Sequence, residues 1–289
     1  MITVTPDQNL QEIFDFVQPG EEILLTEGDY RVKATIFTPG LTIRGAGPDR
    51  TRILWDDYAE KKDAAGVAYN TFRTWTLAVC ADDITMRGLS VVNDAREPET
   101  KGQEVALTVY GTRFRMERCR LSSTQDTLFL GPLPPDLIER YDGFLPDHLR
   151  RALPCTQQFI DCLIEGTVDF IFGCGEALFQ DCEIRSLYEV RGTGYAAAPA
   201  HQERQTEGFR FSRCRFTAGE GVPDGSVYLA RPWRDYGLCV FENCAYGPHI
   251  SPLGFDKWND THRDRTARFY EAPSVPGRVP WARTIAVKP

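Results

Sequence analysis

Two aspartates occupy apolar surroundings in which a carboxylate is costly to bury unless something holds it. Asp169 lies within GTVDFIFG (166–173), between Val168 and Phe170, and Asp126 stands at the head of the apolar run in SSTQDTLFL (122–130). Neighbouring strands of a sheet are about 4.8 Å apart, so two carboxylates distant in sequence can meet on one face if their strands are adjacent. Such a pair can divide its labour. One member is kept ionised by a cation, and the other is kept protonated by apolar surroundings and by its neighbour's charge. A cation is available in YLARPWRDYG (228–237), where Arg231 suits a two-point hold on a carboxylate and Trp233 offers an aromatic face. Taken singly, Asp126 could cap a turn, Asp169 and Arg231 could form a structural ion pair, and Trp233 could fill a groove. Their combination points to chemistry.

Other reactive arrangements are missing. There is no GxSxG, HExxH, P-loop or GxGxxG pattern. The four histidines, His148, His201, His249 and His262, are scattered through loop-like segments and read as ordinary surface residues. Nine cysteines form no CxxC pair, so reduced, mostly buried thiols are expected rather than a disulfide framework or a zinc site. A formal charge of −8 argues against a nucleic-acid partner. No apolar run approaches the roughly 20 residues that span a bilayer, and no basic segment followed by an apolar one opens the chain. A soluble, cytoplasmic protein without a membrane partner is the expectation, or an extracellular one if a signal has been removed.

The elements that must position these residues are short strands. With 17 Phe, 11 Tyr and 24 Gly, and many Thr/Val/Ile/Phe runs punctuated by Gly, Pro and Asp, the composition favours an all-β chain. Five cysteines share a local pattern: FRMERCRL with Cys119, QQFIDCLI with Cys162, ALFQDCEI with Cys182, FRFSRCRF with Cys214 and CVFENCAY with Cys244. Separations of 20, 32 and 30 after Cys162 suit a solenoid whose coils carry surface loops of different length. Each coil would stack like residues on the coil below, making the cysteines an interior ladder. The first coil needs a cap. TPDQNLQEIFDFVQPG (5–20) predicts a helix over about 5–19, with Thr5 as N-cap, Pro6 at the first helical position, and Leu10, Ile13, Phe14 and Val17 on one face. With no linker-like tract, residues 1–289 read as a single domain.

GQEVALTV, QDTLF, GTVDFIFG and LARPW, in that order, resemble the motif series of pectin methylesterases, and the likeness runs from the N-terminal helix to GRVPWAR near the C-terminus. The resemblance implies a right-handed parallel β-helix of the pectin-lyase-like type, in agreement with the cysteine ladder. It implies removal of methyl groups from methyl-esterified galacturonan or oligogalacturonides, with Asp169 as nucleophile and Asp126 as general acid and base. By the same resemblance Gln103 and Gln125 hydrogen-bond the developing oxyanion, Arg231 holds the nucleophile, and Trp233 lines the sugar groove. The implied mechanism needs no metal or organic cofactor, and a monomer is expected. If the strand is regular, alternation puts Phe170 and Phe172 together on the face opposite Asp169 and Ile171.

Three features depart from the family pattern. Val32 stands in GDYRVK where a glutamate is usual, Ala230 replaces a glycine in LARPW, and residues 131–156 form a long Pro-rich insertion. Loops of such length beside a site often govern access. Two alternatives remain open: a β-helix glycosidase or lyase on the same polymer, which also uses paired carboxylates, and a catalytically silent carbohydrate-binding solenoid.

Overall fold

The computed structural model describes residues 1–95, 102–143, 147–150 and 155–285. Short stretches such as Phe209–Ser212 alternate buried and half-buried positions, presenting one face inward, and a brief turn then redirects the chain into the next sheet. Three sheets result, of 11, eight and seven strands, and the paired strands are parallel. The path Phe114–Glu117, Arg120–Ser122, Leu128–Leu130 visits the three sheets once each, and Thr156–Ile160 begins the next circuit beside Phe114–Glu117. Strands that return to lie parallel on their own predecessors make the chain a parallel β-helix, as the sequence predicted.

Strand register explains the cysteine spacing. Met116 pairs with Phe159, Phe159 with Phe179, Phe179 with Phe211, and Phe211 with Phe241, offsets identical to those between successive ladder cysteines. Each cysteine is the second residue after its strand, and the residue before it adopts a positive φ, 49° at Arg118, 52° at Asp161, 55° at Asp181, 53° at Arg213 and 53° at Asn243. That left-handed step turns the thiol inward. Cys182 Sγ then reaches Phe159 O of the preceding coil at 3.4 Å, and Cys214 Sγ reaches Phe179 O at 3.3 Å. All nine cysteines are free thiols, seven of them buried, in keeping with expectation. Beside the ladder runs an aromatic one: the Phe159–Phe179, Phe179–Phe211 and Phe211–Phe241 rings stack at 5.0, 4.7 and 4.9 Å, the distance between adjacent strands.

Helix α1 (Leu10–Phe16) caps the first coil, but it starts later than predicted. Asn9, not Thr5, is its N-cap, its side chain accepting from the Gln11 and Glu12 amides. Thr5 and Pro6 belong instead to a turn closed by Gln8 N donating to Thr5 O. Leu10, Phe14 and Val17 are buried and Ile13 half-buried, as expected for one face. Gln11 covers the open edge of the seven-stranded sheet: its Oε1 accepts from Thr35 N at 2.6 Å and its Nε2 donates to Thr35 O at 3.1 Å. The insertion is more ordered than a bare loop, since it contains helix α2 (Pro135–Arg140) and a 3-10 turn, Asp147–Arg150. Residues 144–146 and 151–154 of it lie outside the described residues. Two histidines also differ from expectation. His201 and His249 are buried, and His201, donating through Nε2 to Gly175 O and accepting from Leu238 N at Nδ1, is held neutral by burial with a pKa of about 4. No described helix is long and apolar enough to cross a membrane.

Candidate active site

The site forms on the outer face of the seven-stranded sheet, where the backbone departs from regular pairing. Asp126 and Asp169 both have positive φ, 65° and 50°. Aspartate tolerates this conformation better than most residues. At Asp169 the register with the next strand slips: Val168 pairs with Tyr195 but Ile171 with Ala197, so three steps on one strand face two on the other. The bulge overturns the expectation of simple alternation. Phe170 and Ile171 both enter the main core, while Phe172 joins a second apolar cluster on the outer face and lines the same cleft as Asp169. Gly166 permits the tight approach, because a Cβ there would lie 2.4 Å from Phe170 Cβ and 2.7 Å from Thr127 Oγ1.

The neighbouring coil supplies the second carboxylate. Leu128 pairs with Ile171 and Phe129 with Phe172, and the same offset carried back two residues sets Asp126 beside Asp169. Asp126 N donates to Val168 O at 3.0 Å. Arg231, the residue after a strand (Val227–Ala230) two further along the sheet, grips Asp169 through Nε to Oδ1 at 2.8 Å and Nη2 to Oδ2 at 2.7 Å. Its guanidinium is itself sandwiched, 3.8 Å from the Tyr195 ring centroid and 4.0 Å from that of Trp258. With so few rotamers left to it, Arg231 presents a fixed fork.

These contacts separate the two acids. Burial pushes Asp126 well above the usual carboxylate range, and the charge of Asp169 adds to the rise against the opposing pull of Arg231 and Gln125. Burial also raises Asp169, and the hydrogen bonds and charge of Arg231 offset only part of that rise, so it stays above its ordinary value but by less than Asp126. Burial lowers Arg231, yet Asp169 outweighs that and raises it overall. The consistent reading is an ionised Asp169–Arg231 pair beside a protonated Asp126.

All six side chains singled out from sequence, Gln103, Gln125, Asp126, Asp169, Arg231 and Trp233, line one cleft of about 780 Å³. Gln125 Oε1 accepts from Arg191 Nη2 at 3.0 Å. Trp233 packs against Phe172 and Phe72, with ring centroids 5.7 and 6.4 Å away. Among the described residues no cluster of His, Cys, Asp and Glu is arranged to hold a metal. Of the three departures from the family pattern, two do not line the cleft: Val32 packs against the main core and Ala230 is fully buried within it.

The pectinesterase family signature matches residues 11–131 and 147–281. The chain belongs to the pectinesterase family. It is accordingly a carboxylic ester hydrolase. Two pectinesterases of Arabidopsis thaliana illustrate the relationship. Pectinesterase QRT1 is 30% identical over 100% of this chain and 70% of its own length, and Pectinesterase 31 is 30% identical over 96% and 83%. Among solved structures, the pectin methylesterase PemA from Erwinia chrysanthemi superposes with a TM-score of 0.81 at 24% identity, covering 99% of this chain and 92% of its own. A pectin methylesterase in complex with a hexasaccharide superposes at 0.80, at 24% identity, covering 96% and 89%.

Sequence reasoning missed the residues that support the site. Tyr195, Trp258, Arg191 and the Glu189 that binds Arg191 through Nε at 2.6 Å carried no motif. One signal was present: Trp258 is a lone aromatic within the polar stretch DKWND (256–260), and such a residue wants a partner.

Proposed function

We propose that this pectinesterase hydrolyses galacturonate methyl esters in pectin or in methylated oligogalacturonides, releasing methanol. The observation that carries the reading is the bidentate Arg231–Asp169 pair with Asp126 beside it in one cleft. The hexasaccharide held by a structurally similar pectin methylesterase supports an oligosaccharide as the occupant.

Asp169, kept ionised by Arg231, attacks the ester carbonyl to form a tetrahedral adduct. Gln103 and Gln125 donate amide N–H groups to its oxyanion. For Gln125 the orientation is supported by Arg191, which occupies Oε1 and so leaves Nε2 for donation. Collapse of the adduct breaks the ester C–O bond, Asp126 delivers its proton to the departing methoxide, and an acyl-enzyme anhydride remains on Asp169. Asp126, now ionised, takes a proton from water as that water attacks the substrate carbonyl, freeing the acid product and restoring both carboxyls.

The test is methanol release from a methyl-esterified oligogalacturonide by the chain and by Asp169→Ala. A fall of at least about a thousandfold is expected, as for loss of a covalent nucleophile. Release unaffected by the substitution overturns the mechanism. New reducing ends or unsaturated products without methanol would instead establish a glycosidase or lyase.

A further inference from the structure

The family match passes over residues 132–146, and within that span lies α2, so this helix stands outside the matched framework. It is built into the cleft. Asp136, Leu137, Arg140 and Tyr141 line the same space as Asp126 and Asp169. Leu137 is buried in the outer apolar cluster, and the Tyr141 ring stands 6.3 Å from that of Phe72. Arg234, one residue beyond Trp233, ties the helix down with Nε to Asp136 Oδ1 at 3.0 Å and Nη2 to Oδ2 at 2.7 Å.

The cations of the cleft are unequally committed. Arg231 is paired with Asp169 at 2.7 Å, Arg234 with Asp136 at 2.7 Å, and Arg263 with Asp235 at 3.1 Å. Arg140 differs: the carboxylate recorded beside it is Asp136 at 4.0 Å, already held by Arg234, and its side chain is 63% exposed. A cation placed in this way, on the wall of a cleft whose other three arginines are each closely paired, retains its capacity for an anion. The reaction supplies one, because hydrolysis of a galacturonate methyl ester turns a neutral unit into a carboxylate.

We propose that α2 is a specificity element and that Arg140 binds the free carboxylate of an unesterified galacturonate unit near the ester being cleaved. The inference rests on the reading of the substrate as a galacturonate methyl ester. It predicts that this chain prefers partly de-esterified oligosaccharides over fully esterified ones, and that α2 is the source of the preference.

The experiment compares the chain with Arg140→Gln, whose exposed tip makes it compatible with folding, and with Asp136→Asn, which loosens the helix. Methanol release is measured from a trigalacturonate with one free acid and from the fully esterified trimer, and binding of the unesterified trimer is measured by calorimetry. For Arg140→Gln, kcat/KM on the partly esterified trimer and affinity for the unesterified one should each fall about fivefold, the scale of one exposed ion pair, with the fully esterified trimer unchanged. Asp136→Asn should lower the same two quantities. Equal losses on both esters, or no loss on either, overturn the proposal. If the parent released no methanol but its affinity for the unesterified trimer still depended on Arg140, the functional reading would fail while carboxylate recognition stood. If methanol were released and Arg140→Gln matched the parent throughout, the inference alone would fail.

Discussion

Replacing Arg231 by methionine removes the fork but keeps an apolar stem between the rings of Tyr195 and Trp258, so the packing of the sandwich is largely preserved. What is lost is the two-point hold on Asp169, bonds of 2.8 and 2.7 Å between side chains only 14% and 10% exposed. Breaking a buried pair of this kind costs about 3–5 kcal/mol when the abandoned charge stays charged. Asp169 has another course. Burial already raises its pKa, Arg231 is the chief opposing influence, and without it the carboxyl takes up a proton well into the range where an ordinary aspartate is ionised. A carboxyl whose pKa is higher in the folded than in the unfolded chain favours the native state below the unfolded value, about 3.9. Its contribution falls as pH rises through the folded value. The destabilisation of Arg231→Met relative to the parent should therefore be small near pH 4 and grow towards about 3 kcal/mol at pH 8. Activity should follow the same ionisation. The acid limb of kcat/KM moves to higher pH, and kcat on the plateau falls about a hundredfold because the nucleophile is no longer aimed. Urea unfolding at the two pH values, with methanol release measured across the pH range, tests both statements. A loss of stability independent of pH, together with an unshifted acid limb, would refute the idea that Arg231 sets the charge of Asp169.

Asp126→Asn should abolish most activity, by roughly a hundredfold or more as a general acid is lost, yet leave the protein more stable than the parent at pH 8 and indistinguishable near pH 3.5. The reason is that ionisation of the buried Asp126, whose pKa is raised by burial and by Asp169, opposes the fold once pH exceeds the unfolded value; thermal unfolding that shows no gain at pH 8 contradicts this. Arg191→Met should lower kcat about tenfold with little change in KM, since it frees Gln125 Oε1 from its 3.0 Å bond and lets the amide rotate away from the oxyanion. It should also raise the acid limb of the pH profile, because the charge of Arg191 lowers both Asp126 and Asp169. A fall in stability with unchanged kcat and pH profile would mark Arg191 as purely structural.

Much of the framework was legible because a solenoid writes its geometry into the chain. Like residues stack at the spacing of the strand register, so the cysteine offsets could be read as coils before any strand was located. The separation of Asp126 from Asp169 likewise equals the register offset of their strands. Helix α1 was placed by its apolar face, but its start was misjudged, because Thr5-Pro6 and Asn9 offer competing caps and only the Gln8 turn decides between them. The bulge at Asp169 was invisible for a different reason. It is a mismatch between two strands 27 residues apart in register, Val168 with Tyr195, and neither strand carries its trace alone. The residues that hold the site's arginines, Tyr195, Trp258 and Asp136, come from loops or later coils whose positions depend on that same register.

The two acids show how little sequence difference the chemistry requires. Asp126 and Asp169 have the same side chain, the same left-handed backbone, the same 7% residue exposure and adjacent places on one sheet. Burial alone would protonate both. Arg231 is the chief distinction, since it hydrogen-bonds Asp169 and acts on Asp126 through its charge, and it can do so because the strand it follows lies two places beyond Asp169's, with Tyr195 on the strand between. Tyr195 pairs with Val168 on one side and Tyr228 on the other, and its ring supports the guanidinium at a height from which Asp169 is in reach and Asp126 is one coil further away. The bulge then completes the asymmetry by turning Asp169 out towards the arginine while sending Phe170 and Ile171 inward. The division into base-like nucleophile and proton donor is thus a property of strand order and one irregular step, imposed on two residues that would otherwise titrate alike.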